Sequence, residues 1–396
     1  RPWKTRITGI LALVSLAWYL PWQFTNLNWD ALWLSVPFAL ATIVMTVMIA
    51  VTVVNHWHYR RESPEPVAPE AAADVAVIIP SYGEPVEMVA KTVRSVVTQR
   101  YPEQHLRVVV SDDGHRLAMQ EMVHQVQGEY PDVPIHYHEP PHRGDPERRG
   151  DAKAGNLNSA LAFINSWDAP PPFVETRDAD DLVGNVQFLA NAIGHLKQNP
   201  QVGFVQTIKE AQVSPGDPFG NLEPLFYRQA MFARNAADAV FPCGSGLVWR
   251  RAALLDIDGF PTWNLVEDLQ SGIEALRRDW HGAYLPIVGA VGQTAPEDMA
   301  NVIKQRGTWA LDTMRITFWG DKSGLSLRQH LQFAELGFFY LMSFSVLAFA
   351  ITPIITLAFG VYPLITTHAS YAWHFWPLAA AIELLMLSLG GDLPYE

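Results

Sequence analysis

Residues 31–54 and 337–361 contain no Asp, Glu, Lys or Arg, and each run exceeds the ~20 residues that a helix needs to cross a hydrocarbon core. Lipid offers no partner to a backbone N–H or C=O, so two separate apolar runs of this length enter it as helices. The region between them is polar and must fold in water. Residues 7–24 form a shorter apolar run that ends in Trp18, Tyr19 and Trp22, an aromatic group suited to a membrane interface, and are read as a further span. A fourth stretch, 371–389, carries Pro377 and, near its middle, Glu383. A charge facing lipid there would cost ~2.5–3.5 kcal/mol on insertion scales, so Glu383 is expected to face protein or a watery cavity. A short, tilted, interfacial segment is the other reading of this stretch.

Lys and Arg mark the cytoplasmic flanks. Arg1, Lys4 and Arg6 precede the first run and Arg60 and Arg61 follow the second, whereas the connectors 21–30 and 362–374 have neither residue. The central region is therefore expected in the cytoplasm, in a multi-pass protein of the plasma (inner) membrane. No small-residue cleavage site follows the first run, which argues against a signal peptide. The chain opens without Met and stops soon after Glu383, as expected of part of a longer polypeptide.

A net charge of −12 argues against nucleic acid held on a basic face. A single cysteine, Cys243, excludes an internal disulfide and a cysteine-based zinc site. Residues 62–74, rich in Pro, Ala and Glu, read as a linker. Beyond it, short β-branched runs at 75–80, 106–111, 173–175 and 202–206 alternate with helical spacing at 86–99, 152–165 and 187–198. That alternation predicts an α/β domain with a doubly wound sheet, in which ligands gather beyond the carboxyl ends of the strands.

Acidic residues stand at those ends. Asp178 and Asp180 alternate with Ala179 after an apolar strand, oxygen ligands of the kind Mg2+ or Mn2+ takes, although a lone Asp-x-Asp also suits a solvated turn. Asp181 beside them has the character of a helix N-cap. Asp112 and Asp113 precede Gly114 and could simply build a turn. Lys153 opens a helix whose N-terminus would attract phosphate, and Arg143, Arg148 and Arg149 upstream stay unassigned. Glu267 and Asp268 open an amphipathic segment, 266–276, where a carboxylate also suits a cap. Gln305 and Trp309, spaced i, i+4, share a helix face, and Trp309 alone would pass for an interfacial anchor.

Taken in order, Pro80-Ser81-Tyr82-Gly83-Glu84-Pro85, Asp112-Asp113-Gly114, Ala152-Lys153-Ala154-Gly155-Asn156-Leu157-Asn158, Asp178-Ala179-Asp180, Phe204-Val205-Gln206-Thr207, Glu267-Asp268 and Gln305-Arg306-Gly307-Thr308-Trp309 form one set. Over residues 75–361 it resembles the membrane-embedded family 2 glycosyltransferases of the cellulose synthase type. The resemblance implies a cytosolic GT-A type domain at 75–320, inserted between two N-terminal transmembrane helices at 1–61 and an interfacial helix with C-terminal transmembrane helices at 321–396. It further implies inverting transfer from UDP-glucose to a growing β-glucan, with the product passed across the bilayer.

By the same resemblance Tyr82, Glu84, Asp112, Asp113, Lys153 and Asp178 hold the nucleotide-sugar, and Asp178 and Asp180 hold Mg2+ or Mn2+. Asp268, with Glu267 beside it, takes the acceptor's proton; Val266 stands where the family has Thr. Cys243, Gly244 and Ser245, with Gln305 and Trp309, lie along the acceptor, and Cys243 is a packing or sugar contact. Thr308 replaces the family's Arg, a role Arg306 could take from a shifted helix as a phosphate contact. The sequence names no accessory subunit. Two other classes fit the same motifs: a non-processive transferase adding one sugar to a membrane lipid carrier, and a degenerate nucleotide-sugar-binding homologue, for which Thr308 is the argument.

Overall fold

A computed structural model describes residues 2–390, so Arg1 and the stretch past Gly390 lie outside it. The chain divides into two units, one built from residues up to 59, 313–320 and 326 onward, the other from residues 60–312 and 321–325.

The first unit contains helices Pro2–Thr25, Leu32–Asn55, Leu327–Phe359 and His368–Gly390. These four are long and apolar enough to cross a membrane. The third begins well ahead of its apolar run because Ser326 and Gln329 form a capping box, and it stops at Gly360, whose φ of 66° is the left-handed conformation that ends a helix. Trp18 and Trp22 stack on His374, with ring centroids 5.0 and 4.6 Å away, and Trp22 Nε1 donates to Ser370 Oγ at 3.0 Å. The aromatic group read as an interface belt thus packs on the last helix. Glu335 is buried and accepts from Thr52 Oγ1 at 3.0 Å and Asn55 Nδ2 at 2.8 Å, which meets the polar demand of a carboxylate placed in an apolar helix. Glu383 is exposed on its helix, so of the two surroundings expected for it, protein does not cover it.

The second unit is built on a sheet. Its strands are β1 (Val75–Ser81), β2 (Leu106–Asp112), β3 (Ile135–His138), β4 (Phe173–Thr176), β5 (Asp181–Val183), β6 (Val202–Ala211), β7 (Leu247–Arg250) and β8 (His281–Gly292), in the spatial order β3-β2-β1-β4-β7-β6-β8-β5. β1 is buried along its whole length, as a Val/Ile run covered on both faces must be. The expected doubly wound parallel sheet holds for β3, β2, β1 and β4, but β7 runs antiparallel to both β4 and β6, so the sheet is mixed.

The reversal of β7 positions the site. Thr176 at the end of β4 pairs with Leu247 at the start of β7, so the loop before β7 arrives at the same sheet edge as the loops after β1, β2 and β4. β6 is antiparallel to β7, and its end reaches that edge too. Asp181 begins β5 and caps no helix, contrary to expectation. Helix Met299–Trp319 carries Gln305 and Trp309.

Candidate active site

Asp178 and its neighbours are held from below by a buried ion pair. Arg177 Nε donates to Glu175 Oε1 at 2.6 Å, Nη1 to Leu182 O at 3.1 Å and Nη2 to Gly289 O at 3.0 Å, with neither side chain exposed. A buried guanidinium satisfied in this way fixes the path of the loop that follows it. The Asp178 N–H then donates to Ser245 Oγ at 3.1 Å, tying this loop to the one before β7. Gln206 pins that second loop: its Nε2 donates to Ser245 O at 3.0 Å and its Oε1 accepts from Cys243 N at 2.7 Å.

Between the two loops Gly244 adopts φ +80°, and a Cβ there would lie 3.0 Å from Lys153 Nζ, 3.3 Å from Asp268 Oδ2 and 3.8 Å from Asp178 Oδ2. Residues far apart in the chain therefore converge on one point, and only glycine leaves it open. Gly244→Ala is expected to cut turnover at this point by about 100-fold, the cost of displacing reacting groups by an ångström. Wild-type turnover in the folded variant would show that the point is not part of the reaction path.

Lys153 donates to Asp178 Oδ1 and lies 3.7 Å from Glu267 Oε1. The rest of its motif is scaffolding. Asn156 Nδ2 donates to Ser111 O at 2.9 Å and Ser81 O at 3.3 Å, joining the ends of β2 and β1, while Asn158 exchanges bonds of 2.8 and 2.9 Å with Phe260. A residue that sequence reasoning passed over, Lys209 on β6, lies 3.1 Å from Asp178 Oδ2 and 3.2 Å from Asp181 Oδ2. Its one signal was a charge at the end of an otherwise buried strand.

The carboxylates respond to this crowding. Burial would raise Asp178, but Lys153 and Lys209 hold it well below the usual carboxylate range. Asp180 is pushed up to about 6 by burial, then by Asp181 and Asp178. Burial lifts Glu267 to about 7, with Lys153 opposing and Asp268 adding, and burial likewise raises Asp268 against the pull of Lys153. The Cys243 thiol is pushed up strongly, by burial first and then by Asp268, which suits packing and not nucleophilic attack.

The other candidates fall into groups. Asp112 is buried and bonded by Arg116, whose Nη2 is 2.8 Å from its Oδ1. Asp113 is held by Arg148 and, at 3.2 Å, by Arg143, which also lies 4.5 Å over the ring of the exposed Tyr82. Two of the three unassigned arginines thus serve Asp113, and Arg149 pairs with Asp258 at 2.6 Å. Glu84 Oε2 accepts from Ser81 Oγ and from the Tyr82 and Gly83 N–H groups at 2.9, 2.7 and 3.2 Å, shaping its own loop. Gln305 and Trp309 line an open cavity of about 410 Å³ with Asn301, Lys304 and Thr308. Arg306 is turned onto the carbonyls of Phe219 and Gly220 at 2.7 and 3.1 Å, and Thr308 Oγ1 donates to Lys304 O at 3.0 Å.

No cluster of three or more His, Cys, Asp or Glu able to hold a metal occurs among the described residues. Asp180 nevertheless fits a divalent ion: it makes no salt bridge among the described residues, and its carboxyl is raised by burial first and then by Asp181 and Asp178, with Lys209 only partly opposing. Mg2+ and Mn2+ commonly take one or two carboxylates and complete their shell with substrate phosphates, so the residues present fit such an ion.

The mixed sheet and the acidic edge it builds define a GT-A type glycosyltransferase fold. A mannosyltransferase from Pyrobaculum calidifontis, solved in complex with GDP-Man and Mn2+, shares it at a TM-score of 0.61 and 20% identity, over 90% of this chain and 99% of that one. Residues 72–311 match the family described as glycosyltransferase like family 2, and the chain belongs to that family. Among curated relatives, "Putative cellulose synthase 2" of Komagataeibacter xylinus is 30% identical over 370 residues, 88% of this chain and 23% of that protein. "Cellulose synthase catalytic subunit (UDP-forming)" of Pseudomonas fluorescens is 29% identical over 374 residues, 89% of this chain and 47% of that protein. The chain therefore spans less than half the length of these relatives.

Proposed function

We propose that this chain is a UDP-sugar-dependent hexosyltransferase of the inner membrane, catalytic unit in the cytoplasm, that extends a β-glucan processively from UDP-glucose. The observation that carries the reading is the convergence of Asp268, Lys153 and Asp178 on Gly244. A raised carboxylate able to accept a proton stands beside an ammonium group able to meet a phosphate, which is the pairing that glycosyl transfer from a nucleotide donor requires. The roughly 30% identity to proteins named as cellulose synthases supports the choice of product.

In this reading an acceptor hydroxyl, steadied by Trp309 and Gln305, gives its proton to Asp268. Its oxygen bonds to the anomeric carbon on the face opposite UDP, the carbon–oxygen bond to UDP breaks, and the configuration inverts. Tyr82 and Arg143 offer a flat, charged surface to the base, with Asp113 fixing the arginine. Lys153 meets the negative charge that builds on the leaving diphosphate. A divalent ion at Asp180, with Asp178 beside it, would supply Lewis-acid stabilisation of the same charge.

The test is incorporation of radiolabelled sugar by the purified, detergent-solubilised protein with Mg2+ or Mn2+, offering UDP-glucose and UDP-N-acetylglucosamine separately and sizing the product. A long, β-glucanase-sensitive product from UDP-glucose is expected. A single sugar on extractable lipid would replace the polymer reading with a carrier transferase, and no incorporation from either donor would leave a binding homologue.

A further inference from the structure

We propose that Lys209 binds the donor's diphosphate, as the second of two ammonium groups that this chain sets on either side of Asp178. The inference rests on the reading of the site as a nucleotide-sugar site and assigns a residue that the motifs do not include. Charge balance leads to it. Asp178, Asp180, Asp181, Glu267 and Asp268 crowd one edge of the sheet, and among the described residues Lys153 and Lys209 are the two cations paired with them. A diphosphate entering beside these carboxylates needs more positive charge than Lys153 provides. Arg306 Nη2 already donates to the Phe219 and Gly220 carbonyls and Thr308 Oγ1 to Lys304 O of its own helix.

The local geometry suits Lys209 to this task. The ladder between β6 and β8 shifts register on both sides of Ile208, an irregularity of the kind that re-aims the side chain beyond it. The ammonium group has three N–H donors. One donates to Asp178 Oδ2 at 3.1 Å and another reaches Cys243 O only at 3.4 Å, a long bond that a phosphate oxygen would replace, while Asp181 Oδ2 lies 3.2 Å away as an ion-pair contact without a hydrogen bond. The side chain keeps 20% of its surface exposed.

The test is calorimetric titration of the detergent-solubilised full chain with UDP and, separately, with uridine, which lacks the diphosphate. Lys209→Met is expected to weaken UDP about 10- to 100-fold, the span of a lost charge-assisted hydrogen bond, and to leave uridine unchanged. Lys209→Arg should keep UDP binding. Because Lys209→Met alone leaves the buried Asp181 and one oxygen of Asp178 without their lysine, Lys209→Met with Asp181→Asn restores the local charge count and should show the same loss for UDP only. UDP affinity at the wild-type level in that double variant, or equal weakening of UDP and uridine, would overturn the proposal and leave the donor reading standing. A wild-type chain that binds UDP no better than uridine would overturn the donor reading and this inference with it.

Discussion

Asp268→Asn is expected to slow sugar transfer by about 1,000-fold while UDP affinity stays at the wild-type level, the effect of removing a general base that touches only the acceptor. The expectation follows from position. Asp268 Oδ1 is held by the Leu269 N–H at 2.8 Å, while Oδ2 faces the Gly244 point shared with Lys153 and Asp178. Asparagine has the same shape and cannot take a proton. Rates measured at saturating donor, alongside UDP binding, separate this outcome from a failure of binding, and normal turnover with lost affinity would remove Asp268 from the role of base. The pH dependence adds a second reading of the same group. Burial raises the Asp268 carboxyl against the pull of Lys153, and the group works only when ionised. Transfer should therefore rise with pH along an acid limb that lies above the ordinary carboxylate range. A limb at the ordinary aspartate position would show that this carboxyl is not the one being titrated.

Chelation followed by Asp180→Asn is the second large effect. Treatment with a chelator should abolish transfer, and Mg2+ or Mn2+ should restore it in the wild type. Asp180→Asn should leave the restored rate about 100- to 1,000-fold lower, comparable to loss of one group that stabilises charge in a transition state. The reason is electrostatic. Asp178 already has a lysine on each oxygen, whereas Asp180 is pushed up to about 6 by burial and by the Asp181 and Asp178 charges around it. A divalent cation relieves that repulsion, and an amide does not. Mn2+ binding followed by electron paramagnetic resonance gives the same comparison without turnover. Full activity in chelator, or unchanged metal dependence in Asp180→Asn, would take the metal away from this residue.

Much of this architecture is legible in the sequence. The apolar runs marked the four long helices, since crossing lipid is a property of local composition, and the motif order from Pro80 to Trp309 led to the family that residues 72–311 match. Strands β1, β2, β4 and β6 were visible as β-branched runs. The direction of β7 was not. Leu247-Val248-Trp249 reads the same in either orientation, and only pairing with β4 and β6 makes it antiparallel. Asp181 read as a cap because its sequence neighbours suit a turn, yet the strand partner that claims it, Gly292 of β8, lies far along the chain.

By itself, the sequence determined which segments can enter lipid, which alternate as strand and helix, and which carboxylates follow strands, because each of these depends on residues within a few positions of one another. Only the tertiary structure decided which charges meet. Arg148 and Arg143 claim Asp113 beyond the parallel strands, while Lys209 stands between Asp178 and Asp181 and Asp268 reaches Gly244 at the edge where the reversed strand begins. The strength of an ion pair falls with distance in space, to which separation along the chain gives no guide.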